Sequence, residues 1–264
     1  MPSINNFLKG FSDGLPGMKD YRHASRLYFD DNFKLAPKHK YLYHVVFDLD
    51  ETVIGTSRPF TNNERLELNM LVKAIDLQPN IAVYHSNYGN ILYHSNKLEF
   101  AIQEHKKSIK LDKKNFQSFY GLGVIYSHLK NYQFAEDNYK KALSLDDNSS
   151  VAHNNLANLY NHINPNKAEH HYLKVLELTP DDPMPYINIS NYYLKNTKYK
   201  KCVETLEDAL SKQLKTKELL NNLGIAYLAT KETEKSREMF EEALKIDPGY
   251  KPALDNLENL KNIS

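Results

Sequence analysis

One cysteine, Cys202, is all that this chain of 264 residues contains, which excludes an internal disulfide and a cysteine-built metal cage. Tryptophan is absent. Glycine and proline number only 9 and 11, too few for a turn-rich β-sandwich or a low-complexity chain. Neither sign of charge is in excess. Against 34 Lys and Arg stand 33 Asp and Glu, a net charge of +1, so neither nucleic acid nor an anionic membrane is expected as a partner through bulk charge. No stretch approaches the roughly 20 apolar residues of a membrane span. The opening Met1-Pro2-Ser3-Ile4-Asn5-Asn6 lacks the basic-then-apolar build of a secretory signal, so a cytoplasmic location is expected, in the cell or in an infected host. What the chain does have is enough apolar content to fold, 41%, and an internal period.

Gly89, Gly123, Ala157, Ser190 and Gly224 are spaced 34, 34, 33 and 34. Three residues after each stand Leu92, Tyr126, Tyr160, Tyr193 and Tyr227. A second small-residue series runs Ala101, Ala135, Ala168, Cys202 and Ser236, and a third runs Ser108, Ala142, Val175, Ala209 and Ala243. The single spacing of 33 reads as one residue deleted near Asn164-Pro165. A period of this length is the mark of a stacked repeat. Each unit holds two helical patterns. Phe119, Leu122, Gly123 and Tyr126 fall at i, i+3, i+4 and i+7, and Tyr132, Ala135, Tyr139, Ala142 and Leu143 form a second apolar face. Neither helix can bury its face alone, so stability resides in the interface with the next unit. Glycine inside a helix costs about 1 kcal/mol relative to alanine, which is sensible only where two elements approach closely.

The Leu122-Gly123-x-x-Tyr126 and Leu223-Gly224-x-x-Tyr227 first helices, the Ala142-Leu143 and Ala243-Leu244 second helices, and the closing Pro180 and Pro248 resemble the tetratricopeptide repeat family. Lys113, Asp147 and Leu214 depart from the closing proline. The resemblance implies an all-α solenoid of about five helix-turn-helix repeats, at 82–115, 116–149, 150–182, 183–216 and 217–250, with a C-terminal capping helix in 251–264. Residues 1–80 do not obey the period. They read as an irregular arm or cap with a short β-rich run, Tyr41 to Val53, and a helix near 62–78.

One stripe in the first helices has no packing logic in the sequence. Asn87, Asn155, Asn188, Asn222 and Asn256 share a slot in which Gly121 is the exception. Three residues on come Asn90, Asn158, Asn191 and Asn259, and four further on come His94, His128, His162 and Lys195. Offsets of 0, 3 and 7 place the three columns on one helical face. In the family this face looks into the concave groove, and similar asparagine ladders hold extended peptides by their main chain. A side-chain amide offers an acceptor and two donors, which match peptide C=O and N–H groups. The residues expected to bind a peptide are therefore Asn87, Asn90, Asn155, Asn158, Asn188, Asn191, Asn222, His94, His128, His162 and Lys195.

One histidine per repeat does not make a metal site, because stacked helices lie roughly 8–10 Å apart whereas zinc ligands sit about 2 Å from a shared ion. His170-His171 reads as a solvated surface pair, and Cys202 as buried and inert. No metal, cofactor or catalytic residue is expected, and the function is read as a non-catalytic scaffold for a protein or peptide. Two alternatives rest on the first eighty residues. Val45 to Val53 resembles the first motif of haloacid-dehalogenase-like phosphatases, in which Asp48 would be nucleophile and Asp50 acid/base beside Mg²⁺; the later strands and lysine of that fold are missing. Asp20 to Tyr28, Leu35 to Phe47 and Met70 to Leu77 resemble the N-terminal region of contractile-phage tail-tube and baseplate proteins, which implies a phage-encoded virion or assembly component.

Overall fold

The structure, a computed structural model, describes residues 62–261, with side chains from Met70 onward. The short strand, Asp48, Asp50 and most of the phage-like segment lie outside the described residues. Among those described, every element is a helix: α1 Asn62–Leu77, α2 Ala82–His94, α3 Leu98–Leu111, α4 Phe116–His128, α5 Tyr132–Leu143, α6 Ser150–Ile163, α7 Pro165–Leu178, α8 Pro183–Lys195, α9 Tyr199–Ser211, α10 Lys217–Ala229, α11 Thr233–Ile246 and α12 Lys251–Lys261. Each even-numbered helix from α2 to α10 pairs with the odd-numbered helix after it, and each pair packs on the next.

The helix ends are periodic as well. Four first helices start on a side-chain cap: Asn115 Oδ1 accepts from Ser118 N–H, Ser149 Oγ from Ala152 N–H, Asp182 Oδ1 from Met184 N–H and Thr216 Oγ1 from Leu219 N–H. Each cap satisfies one otherwise orphaned amide and contributes about 1 kcal/mol. The first helices of four repeats end on a left-handed residue, Asn96, Lys130, Thr197 or Lys231, with φ between 56 and 69°. The next N–H then reaches back to a helical carbonyl, Lys97 to Leu92, Asn131 to Tyr126, Lys198 to Tyr193 and Glu232 to Tyr227, at 2.8–2.9 Å. The deleted residue falls in this turn. Only Asn164, in an extended conformation with φ −157°, separates α6 from α7, and Pro165 starts the new helix.

Thr197 is the costliest of the four turns, because a β-branched residue at φ 56° crowds its own carbonyl. Thr197→Gly should therefore raise stability by about 0.5–1 kcal/mol after the greater entropy of the unfolded glycine chain is subtracted. A rise of about 1–4 °C in Tm is the expected reading; a fall would contradict this account of the turn.

The core runs through the pairs. Ala101, Ala135, Ala168, Cys202, Ala209 and Ala243 are fully buried where helices cross. The glycine column has a specific occupant. A Cβ on Gly123 would stand 2.5 Å from the Tyr139 ring, and one on Gly224 would stand 2.5 Å from the Phe240 ring. The second helix of each of these repeats thus places an aromatic ring against the glycine of its first helix. Cys202 is buried in the small-residue slot, and burial pushes its thiol up to about 12.

Candidate functional site

Successive first helices touch directly, α2 on α4, α4 on α6, α8 on α10 and α10 on α12, whereas no two second helices make comparable contact. The first helices therefore form the inner side of the array, and their asparagine stripe lies along it. The amides are not all free. Asn155 Nδ2 donates to Tyr120 Oη at 2.7 Å, Asn188 Nδ2 to Asn154 Oδ1 at 3.0 Å, and Asn256 Nδ2 to Asn221 Oδ1 at 3.0 Å. Asn222 Nδ2 donates to both Ser190 Oγ at 2.9 Å and Asn191 Oδ1 at 2.8 Å. Asn196 Nδ2 reaches Asn161 Oδ1 more loosely, at 3.4 Å. Every one of these bonds joins one repeat to the repeat before it.

The column therefore has a packing role that the sequence did not display. Each such bond satisfies polar groups between adjacent first helices, and one bond of this kind contributes about 0.5–1.5 kcal/mol net. The structure sorts the predicted residues accordingly. Asn87 and Asn222 are buried, at 4% and 8% exposure. Asn90, Asn155 and Asn188 are half-buried, and Asn90 Nδ2 is buried with no hydrogen-bond partner. Asn158 and Asn191 are exposed. So are His94, His128, His162 and Lys195 at the C-terminal ends of their helices, with the His128 ring edge-on to Tyr93 at 5.9 Å.

The two exposed amides are held in a defined orientation. Tyr172 Oη donates to Asn158 Oδ1 at 2.6 Å, and Asn222 donates to Asn191 Oδ1. Each oxygen is thus engaged within the array while its side chain remains exposed. Beside the Asn188–Asn154 bond that joins α6 and α8, an open cleft of about 190 Å³ is lined by Tyr120, Asn154, Asn155, Met184 and Asn188. Tyr120, Asn154, Asn161 and Asn221 were not among the predicted site residues. Asn154 and Asn221 were detectable, since with Asn188 and Asn256 they keep nearly the same period.

The repeat unit itself is matched by known families. Residues 116–149 and 217–250 match families described as "Tetratricopeptide repeat", and residues 89–130 one described as "TPR repeat". Residues 89–149 and 217–250 carry tetratricopeptide repeats. Solved tetratricopeptide structures share the fold. YrrB, described as a TPR protein with an unusual peptide-binding site, is 22% identical, with a TM-score of 0.60 over 72% of this chain and 99% of its own. MamA is 20% identical, with a TM-score of 0.57 over 63% of this chain and 92% of its own. Pseudomonas aeruginosa pilF is 16% identical, with a TM-score of 0.61 over 75% of this chain and 90% of its own. No curated protein matches the sequence.

The tetratricopeptide pairs also enclose histidines outside the groove. His153 Nε2 donates to the Asp147 carbonyl at 2.9 Å, which leaves Nδ1 to accept from His171 Nδ1 at 2.8 Å. His171 also lies over Tyr160, so it is half-buried rather than part of a solvated pair; only His170 is exposed. Burial, with the nearby charges of His153, His170 and Lys140, pushes His171 down to about 4. His85 is bonded on both ring nitrogens, to Glu104 Oε2 at 2.6 Å and to the Pro79 carbonyl at 2.7 Å. His105 differs: it is fully buried with neither ring nitrogen bonded, and burial holds it down at about 4. Its ring fills the space above Gly121, where a Cβ would stand 2.5 Å away, which accounts for the missing asparagine in that slot. Among the described residues, no group of three or more His, Cys, Asp or Glu is placed to hold a metal ion. No described helix is long and apolar enough to cross a membrane.

Proposed function

We propose that the array is a non-catalytic scaffold that holds an extended peptide, or an extended segment of a partner protein, along the inner side of its first helices. The observation that carries this reading is the pair Asn158 and Asn191, exposed side chains whose amide oxygens are anchored to Tyr172 and Asn222, so that the NH₂ groups are the ends offered to a ligand. Donors at matching positions of adjacent repeats suit the carbonyl oxygens of a stretched backbone. Asn155, Asn188 and Asn222 act one step back, as links that set the spacing between rungs. Anchored side chains lose little further freedom on binding, which favours affinity. Asn87 and Asn90 extend the row into the first repeat, and His94, His128, His162 and Lys195 border it. The peptide-binding site in the description of YrrB, on the same fold, supports a groove role here.

The test replaces donors by acceptors without changing shape. Asn158→Asp with Asn191→Asp keeps each anchored oxygen and turns each outward NH₂ into a carboxylate oxygen. Peptides selected on the wild-type chain from a random twelve-residue display library serve as ligands. Loss of two hydrogen bonds of about 0.5–1.5 kcal/mol each corresponds to roughly 5–150-fold weaker binding, with Tm nearly unchanged. Unaltered affinity in the titration would remove the amide rungs from the binding surface.

A further inference from the structure

Most lysines on the second helices from α5 onward are paired. Lys140 meets Glu136, Lys174 meets Glu177, Lys201 meets Glu169, and Lys245 shares Glu242 with Lys215 of the turn after α9. The first repeat is the exception. Lys106, Lys107, Lys110, Lys113 and Lys114 lie within nine residues, all exposed, and none has an acidic partner within 4 Å among the described residues. Ala101, His105 and Ser108 mark the buried face of α3. At 100° per residue, Lys106, Lys107 and Lys110 stand opposite that face, and Lys113 and Lys114 continue from the turn that follows. This surface is on the outer side of the array, away from the asparagine groove.

Lysine at a helix C-terminus has an ordinary explanation, attraction to the helix dipole. That explanation covers Lys110 in the last turn of α3, as it covers Lys140 and Lys141 of α5 and Lys245 of α11, but not Lys106, Lys107, Lys113 and Lys114. The same five slots sum to +1 in the second repeat and −1 in each of the third, fourth and fifth; in the fifth they hold Glu241 and Glu242 against Lys245. Five lysines with Asp112 as the one acidic residue in their stretch repel one another and lower stability unless something further neutralises them.

We propose that the outer face of α3 and its following turn form a second docking surface, for an acidic polypeptide segment, independent of the groove. Exposed Phe100, two turns before Lys107 on the same side of α3, offers an apolar contact at one end of the basic cluster. A flexible run of Asp and Glu can follow the lysines one by one, and the net charge of +1 gives no bulk attraction for nucleic acid.

The test uses the full chain and a fluorescein-labelled ten-residue polyglutamate peptide, followed by anisotropy at 50 and 300 mM NaCl. Lys107→Glu with Lys110→Glu should weaken binding at least about tenfold, and 300 mM salt should weaken the wild type strongly. A control with equal charge change on other exposed, unpaired lysines, Lys200→Glu with Lys251→Glu, should stay within about twofold. Circular dichroism and Tm establish that both variants are folded. Three results overturn the proposal: no binding by the wild type, equal weakening in both variants, or tighter binding of a ten-nucleotide oligo-dT than of the peptide.

Discussion

Phe240→Ala is expected to lower the free energy of unfolding by about 3–5 kcal/mol, a large part of the 5–15 kcal/mol that holds a typical domain together. Phe240 is fully buried in the last repeat, among Leu220, Ala243, Ala253 and Leu260, and its ring lies on Gly224. Truncation leaves a cavity that the capping helix α12 can only partly close. The glycine gives the sharper test. Gly224→Ala by itself should destabilise by about 1–3 kcal/mol, because the new methyl would sit 2.5 Å from the ring, even though alanine is the better helix former by about 1 kcal/mol. In the Phe240→Ala background the same methyl enters free space and should stabilise by up to about 1 kcal/mol. Urea denaturation of the four proteins measures the coupling. If Gly224→Ala costs the same in both backgrounds, the ring is not the reason for the glycine.

Acid should loosen the first two repeats before it affects the carboxylate pairs. His105 titrates at about 4 when folded and at about 6.5 when unfolded, so between these values the unfolded chain binds the extra proton. Stability is therefore complete above about pH 6.5, falls as pH drops toward 4, and levels off below. Over that window His105 alone accounts for roughly 2–4 kcal/mol. His171 acts in the same direction with a smaller effect, since its ring is half-buried and solvent screens it. The carboxylates act later: Glu242, held at about 2 by Lys215 and Lys245, loses its contribution only below its ordinary range. His105→Leu is the decisive variant. Leu206 fills the same slot in the fourth repeat, so a leucine suits the space. The substitution removes two unbonded buried nitrogens and should stabilise by about 1–3 kcal/mol at pH 7. It should also flatten the profile between pH 6.5 and 4. Denaturant titrations across pH that show the same slope in His105→Leu as in the wild type would assign the acid sensitivity elsewhere.

How much was legible in the sequence differs from column to column. The 34-residue period, the two helical faces per unit and the short turn at Asn164 all follow from residue order. The glycine column was legible as a close approach, but not as a ring on a backbone: the rings of Tyr139 and Phe240 lie sixteen residues further along, on another helix. The asparagine column was legible as a shared face, yet it divides in the fold. Asn158 and Asn191 are exposed, while Asn155, Asn188 and Asn222 reach the preceding repeat. Neighbouring residues such as Asn154 and Asn155 differ by 100° around the helix and serve the seams on either side of it: Asn155 donates to Tyr120 of the repeat before, and Asn154 accepts from Asn188 of the repeat after.

The sequence by itself determined that this chain is a stack of helical hairpins, because every interface is a copy of the last and a copied interface must repeat its residues. Only the tertiary structure decided what each polar side chain in that stack does. A hydrogen bond is made or lost within about half an ångström, and the distance between two helices fixes it. His105 without a partner, His171 turned against His153, and an amide anchored by a tyrosine from the second helix of its own repeat are settled at that scale, below what a 34-residue period can specify.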